Sequence, residues 1–180
     1  MNTLRWSDLP CYTYDEYKLW EGSWELIHGV PYAMSPMPSI KHQKISNSIA
    51  WQLQNNLKGC KKCRALLPVD WRIGESTVVQ PDNMVICHEP RNDAFISKSP
   101  KIIFEILSPS TAKKDSTIKF NIYESEAVDY YIIVNPDDDI AKVYEFKEGK
   151  YIKICDAREE TVRFSLDECS FDFDFSKLWV

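Results

Sequence analysis

Two apolar runs separated by a helix-length segment constrain this chain more than any other feature. "KIIFEIL" at 101–107 and "DYYIIVNP" at 129–136 are too continuous for strands with one face in water. Between them, from about Thr111 to Glu126, lies a stretch with the length and pattern of a helix. Strand, crossover helix and buried strand form a βαβ unit, so the two strands are expected to be parallel, with the helix on a sheet face. Glu105 interrupts the first run. A carboxylate there is costly to keep ionised, and it needs a basic partner, a raised pKa or a metal ion.

The rest of the chain supplies the other elements. "TYDE" at 13–16 is a capping box that starts a short helix reaching about Trp20. "WELIHGVPYAMS" reads as a hairpin turning at His28-Gly29. Ser39 caps a longer helix in which Ile45, Ile49, Leu53 and Leu57 recur every four residues, and Gly59 ends it. Strands are expected at 64–73, 77–87 and 101–107, followed by the crossover helix and the strand from 129. "AKVYEFKEGKYIKI" adds a hairpin turning at Glu148-Gly149, and "TVRFSL" an edge strand. Nothing divides the sequence by composition, so 1–180 is read as one α/β domain with its core at about 39–135.

Composition bounds the function. The longest apolar run is far too short to span a bilayer, and the first residues carry no apolar leader, so a soluble cytoplasmic protein is expected. Six cysteines at 11, 60, 63, 87, 155 and 169 are read as reduced thiols. "CKKC" has no second C-x-x-C to complete a zinc site, which argues against one. The net charge of −5 argues at first against nucleic acid, but residues 136–180 carry the whole deficit, with 12 acidic and 7 basic residues. Between 39 and 120 there are 13 basic residues to 7 acidic, enough for a locally positive face or for an ordinary solvated surface.

Asp82 follows Pro81 in "VVQPDNMVI", where the proline marks a strand edge, start or bulge. Alone, Asp82 reads as a turn residue. Beside Glu105 on the next strand it gains weight, because two neighbouring carboxylates repel unless a cation or proton lies between them. Mg²⁺ suits that place, with Asp82, Glu105 and a backbone carbonyl such as that of Ile106 as ligands. Two residues after Glu105 the chain has Leu107, so a cation must come from elsewhere, and Lys119 is in reach. Glu105 stands about 10 Å back along its strand from Ser108, and Lys119 about 12 Å along the helix from Thr111. Asp115, four residues before Lys119, makes either a pair in the site or an exposed helix salt bridge. Gln80 reads as a partner for water or phosphate near Asp82, or as an exposed strand residue. His42 reads as a half-buried structural histidine.

Together "WELIHGVPYAMSP", "HQKIS", "VVQPD", "EILSPST", the Asp115–Lys119 spacing and "VDYYIIVNP" resemble the Uma-two family of restriction-endonuclease-like proteins, within the PD-(D/E)XK nuclease superfamily, over roughly residues 12–146. The resemblance implies a mixed β-sheet flanked by helices, in an αβββαβ core, and a Mg²⁺-dependent endonuclease (Mn²⁺ a possible substitute) with Asp82 and Glu105 on the metal. It implies further that Lys119 replaces the lysine of the superfamily's E-x-K, and that Glu25 of "WELIHG" matches an N-terminal glutamate acting as an extra metal or water ligand. DNA is then the expected substrate, cleaved by attack of water, and a homodimer the expected assembly. Two alternatives stand beside it: a nuclease fold that binds nucleic acid or protein without cleaving, and a metal-free domain in which Glu105 simply pairs with Lys119.

Overall fold

The structure is a computed structural model that describes residues 10–34, 37–88, 90, 94–109, 112–167 and 169–179. In chain order the elements are α1 (Tyr14–Tyr17), β1 (Trp24–Ile27), β2 (Val30–Ala33), α2 (Ile40–Asn56), β3 (Arg64–Leu66), β4 (Asp70–Arg72), β5 (Val78–Val79), β6 (Asn83–Ile86), β7 (Phe95–Ile96) and β8 (Ile102–Ile106). Then come α3 (Ala112–Lys114), a π-helical turn (Asp115–Lys119), α4 (Phe120–Ser125), β9 (Tyr130–Asn135), β10 (Ile140–Lys147), β11 (Lys150–Ala157), β12 (Thr161–Ser165), β13 (Ser170–Asp174) and a 3₁₀ turn (Phe175–Leu178). The chain divides into two compact units, one of residues 1–36, 69–80 and 90–98, the other of 37–68, 81–89 and 99–180.

The first unit holds a five-stranded sheet in the order β2-β1-β5-β4-β7. The capping box forms, with Glu16 accepting the Thr13 backbone N–H at 2.8 Å. The β1–β2 hairpin turns where expected. His28 and Gly29 both take positive φ, 51° and 79°, the backbone a tight two-residue hairpin requires.

The second unit carries a six-stranded mixed sheet in the order β11-β10-β9-β8-β6-β3. β8 and β9 run parallel, with Glu105 opposite Ile133, and β6 pairs antiparallel with both β3 and β8. The order α2, β3, β6, β8, crossover helix, β9 reproduces the αβββαβ core. Ser39 caps α2 by accepting the His42 backbone N–H at 3.2 Å, and Ile45, Ile49, Leu53 and Leu57 are all buried. They face Val85, Ile102, Phe104, Ile106, Ile132 and Val134. Each such side chain contributes about 1.5–3 kcal/mol by leaving water.

Three expectations are corrected. The runs 64–73 and 77–87 each break in two, giving β3 and β6 to the second unit and β4 and β5 to the first. Pro68 and Pro81 stand at the breaks, where a missing N–H stops a ladder. "TVRFSL" edges no larger sheet; β12 pairs with β13 as a separate hairpin that lays Phe164, Phe171 and Phe173 on the α2 side of the core. Four of the six cysteines gather, with Cys60 joined to Cys169 and Cys63 to Cys87. Thr111, the expected helix start, lies outside the described residues. Among the described residues no helix is long and apolar enough to cross a membrane.

Candidate active site

The antiparallel register of β6 and β8 pairs Asn83 with Phe104, Met84 with Ile103 and Val85 with Ile102. Continued by one residue, the same register sets Asp82 opposite Glu105. Directly opposed residues of an antiparallel pair project from the same face, so register alone brings the two acids together. Asp82 closes the end of the ladder, its Oδ2 accepting the Ile106 backbone N–H at 2.8 Å.

Glu105 is almost completely buried, 2% exposed, and so are Asp115 and Lys119. Its Oε1 accepts from Lys119 Nζ at 2.8 Å and from the Tyr123 hydroxyl at 2.6 Å. Lys119 Nζ lies 3.5 Å from Asp115 Oδ1. Of the two readings of Asp115 and Lys119, the structure therefore takes the inward one. The π-helical turn spans these two residues, end to end. Ser116 and Thr117 support it: their hydroxyls donate to the carbonyls of Ala112 and Lys113, which offers the backbone an alternative to regular helical bonds. The Tyr131 hydroxyl donates to the Asp115 carbonyl at 2.9 Å. Such π turns recur at functional sites.

The electrostatics report the same convergence. Burial pushes the Tyr131 phenol well above its ordinary pKa, and the charges of Glu105, Asp115 and Asp82 push it further. His42, from the first turn of α2, places Nε2 3.3 Å from Asp82 Oδ2. Burial works to lower its pKa. The hydrogen bond and charge of Asp82, the charge of Asp115 and the Ile106 backbone outweigh burial, so the imidazole titrates above its usual value. His42 is half-buried, as expected, but it is a partner of Asp82 and not merely a piece of core. Its signal in the sequence was position: three residues after the cap, at the end of the helix that covers the strand termini. Tyr123, which no pattern singled out, was a further omission.

Two carboxylates, Glu105 and Asp115, thus share one ammonium, and the register sets Asp82, paired with His42, opposite Glu105. The carboxylate oxygens of Asp82 and Glu105 are the donor type a hard divalent cation such as Mg²⁺ takes, with the His42 imidazole beside Asp82.

Glu25 and Gln80 belong to the first unit. Glu25 is fully buried on β1, and its Oε1 accepts the Gln80 backbone N–H at 2.9 Å. The Gln80 side-chain amide donates to Asp70 Oδ1 at 2.7 Å, an oxygen that also accepts from the Tyr17 hydroxyl at 3.1 Å. Burial, with the Glu25 charge, raises the Asp70 carboxyl against the pull of those hydrogen bonds. This buried polar group was not foreseen, because Tyr17, Asp70 and Gln80 lie on three separate stretches of chain.

Comparison with known proteins agrees with the fold. A crystal structure of a "putative nuclease belonging to DUF820" from Anabaena variabilis superposes with a TM-score of 0.76 at 20% identity, covering 93% of this chain and 97% of that one. No curated protein matches the chain. The model of the Uma2 family, described as "Putative restriction endonuclease", matches residues 14–169, and the chain belongs to that family.

Proposed function

We propose that the chain is an endonuclease that hydrolyses phosphodiester bonds of DNA at the cluster of Asp82, Glu105 and Lys119. One observation carries this reading: Glu105 and Asp115 share a single buried ammonium while the sheet register sets Asp82 opposite Glu105, an excess of negative charge that suits a divalent cation. Mg²⁺, or Mn²⁺ in its place, held by Asp82, Glu105 and the Ile106 carbonyl, would supply the Lewis acid that polarises a phosphoryl oxygen. Lys119 offsets negative charge as it develops on the phosphate. Tyr123 and Lys119 hold the Glu105 carboxylate in one orientation, and Asp115 holds Lys119. His42 positions Asp82 through its carboxylate. An open groove of about 620 Å³, lined by Leu107, Lys113, Phe120, Asn135, Lys142 and Tyr144, runs along the crossover helix. Its exposed lysines suit the phosphate backbone of DNA. A homodimer would bring one such cluster to each strand of a duplex.

A second reading has an observation of its own. Glu105 Oε1 already accepts two strong hydrogen bonds, which satisfies much of its charge without a metal and suits a fold that binds nucleic acid without cleaving it. Incubation of supercoiled, linear and branched DNA with Mg²⁺ or Mn²⁺ separates the two. Cleavage by the wild type that disappears in Asp82→Asn is the expected result. Cleavage that survives Asp82→Asn, or DNA binding without cleavage at any metal concentration, defeats the endonuclease reading.

A further inference from the structure

We infer that Cys60, Cys63, Cys87 and Cys169 form a structural Zn²⁺ site that staples the end of α2 to the sheet and to the β12–β13 hairpin. The four come from three distant places. Cys60 and Cys63 flank the turn between α2 and β3, Cys87 follows β6, and Cys169 precedes β13. In the structure they close as two sulfur–sulfur pairs, Cys60–Cys169 and Cys63–Cys87. Two disulfides have no reason to meet one another, yet the sulfurs of Cys60, Cys63 and Cys169 all lie within 4.8 Å of each other although they belong to both pairs. A tetrahedral ion requires that convergence: Zn–S bonds of about 2.3 Å put the sulfurs about 3.8 Å apart.

Three further features fit a metal. The Cys63 backbone N–H donates to Cys60 Sγ at 3.3 Å, folding the C-x-x-C into a turn that presents both sulfurs to one point and supports a charged thiolate. Cys63 and Cys87 lie opposite each other, one step beyond the Arg64–Ile86 pair, with Cα atoms 3.9 Å apart; a disulfide ordinarily spans about 4.4–6.8 Å. Four thiolates on one Zn²⁺ leave a charge of −2, and Lys58, Lys61, Lys62 and Arg64 surround the first two ligands in sequence. With all four positions taken by sulfur, the site has no opening for water or substrate, so its role is structural. A sequence search for a second C-x-x-C misses it, because the other two ligands arrive singly.

The test uses the full chain, purified with a thiol-sparing reductant and no chelator, passed through a desalting column and assayed for metal and for thiols under denaturing conditions. One zinc per chain is expected, lost in Cys169→Ser and in Cys63→Ser and retained in Asp82→Asn, which separates this site from the carboxylate cluster. Reduced metal-free protein titrated with Co²⁺ should develop sulfur-to-cobalt charge-transfer bands with the ligand-field bands of a tetrahedral thiolate site. If the cysteine variants do not fold, the cobalt spectrum of the wild type decides alone. Zinc that stays in Cys169→Ser, or reduced wild-type protein that binds no zinc and shows no charge transfer with Co²⁺, overturns the proposal. So does a purified chain lighter by four thiol hydrogens that takes up no metal after reduction.

Discussion

The two faces of β8 are built from the same five residues and do opposite things. Ile102, Phe104 and Ile106 point toward α2 and the β12–β13 hairpin, where Phe104 packs against Phe173 with ring centroids 5.2 Å apart. The other face offers Glu105, with Lys119, Asp115, Tyr123 and Tyr131 around it. One face is uniformly apolar, and mutating it is a matter of volume. The other places charges where apolar side chains would be more stable, since a buried ion pair often breaks even with, or loses to, a hydrophobic replacement of the same shape. A strand that is buried on both faces can therefore keep stability on one and reserve the other for chemistry.

The largest effect expected is on the charged face. Lys119→Met leaves Glu105 and Asp115 buried without their cation and should lower unfolding stability by about 3–5 kcal/mol, read by denaturant titration, and abolish cleavage. Phe104→Ala opens a cavity on the opposite face at about 3–5 kcal/mol, but metal binding by the folded fraction, followed by calorimetry, should not change. Equal sensitivity of metal binding to both would erase the distinction between the faces. Replacing Glu105, Asp115 and Lys119 together by Met, Asn and Leu sharpens it. The triple variant should recover most of the stability lost in Lys119→Met while remaining inactive, because no unpaired charge is left inside. If it is as unstable as the single variant, the charges are holding the fold together and the functional account of them weakens.

Tyr123→Phe is a smaller step on the same face. It removes one hydroxyl from a charged acceptor at a cost of about 1.5–3 kcal/mol, and its effect on cleavage should exceed that of Tyr151→Phe, whose hydroxyl donates to no group among the described residues. Comparable losses in the two variants would make the Tyr123 hydrogen bond incidental.

How much of this was legible in the sequence follows from the same contrast. The βαβ unit, the hairpin turns at 28–29 and 148–149 and the Ser39 cap are local: periodicity, a positive-φ turn or a cap residue within a few positions determines each. The meeting of Lys119 with Glu105 was countable in advance because both sit on the βαβ unit at known rises per residue. What escaped depended on register and on chain crossings. Runs that looked like single strands at 64–73 and 77–87 split between two sheets, since an apolar pattern does not say which partner each half will find. Tyr123 lies one turn beyond Lys119 on the crossover helix, and its apolar setting conceals a hydroxyl directed at Glu105. His42 reaches Asp82 only because α2 begins at the end of the sheet where β6 starts, and Cys87 and Cys169 join Cys60 and Cys63 through two separate returns of the chain. Local spacing carries no information about such meetings.

The smallest effect expected tests the proposed placement of DNA relative to the two faces. Lys113 and Lys142 are exposed in the groove beside the crossover helix, so truncating either to Ala should move stability by no more than about 0.5 kcal/mol. Removing one ammonium from a phosphate should nevertheless reduce the slope of log K against log salt by about 0.9, so that a fourfold rise in salt weakens binding about three- to fourfold less than in the wild type. Lys177, in the 3₁₀ turn that packs with the hairpin on the apolar side and is paired with Asp174 at 3.1 Å, serves as the control. Lys177→Ala should leave the salt slope unchanged, because a duplex held over the Glu105 face has no reason to touch it. Fluorescence anisotropy of a labelled duplex across a salt series measures all three slopes, and a change for Lys177→Ala as large as for the groove lysines would place the phosphates on the wrong side of the sheet.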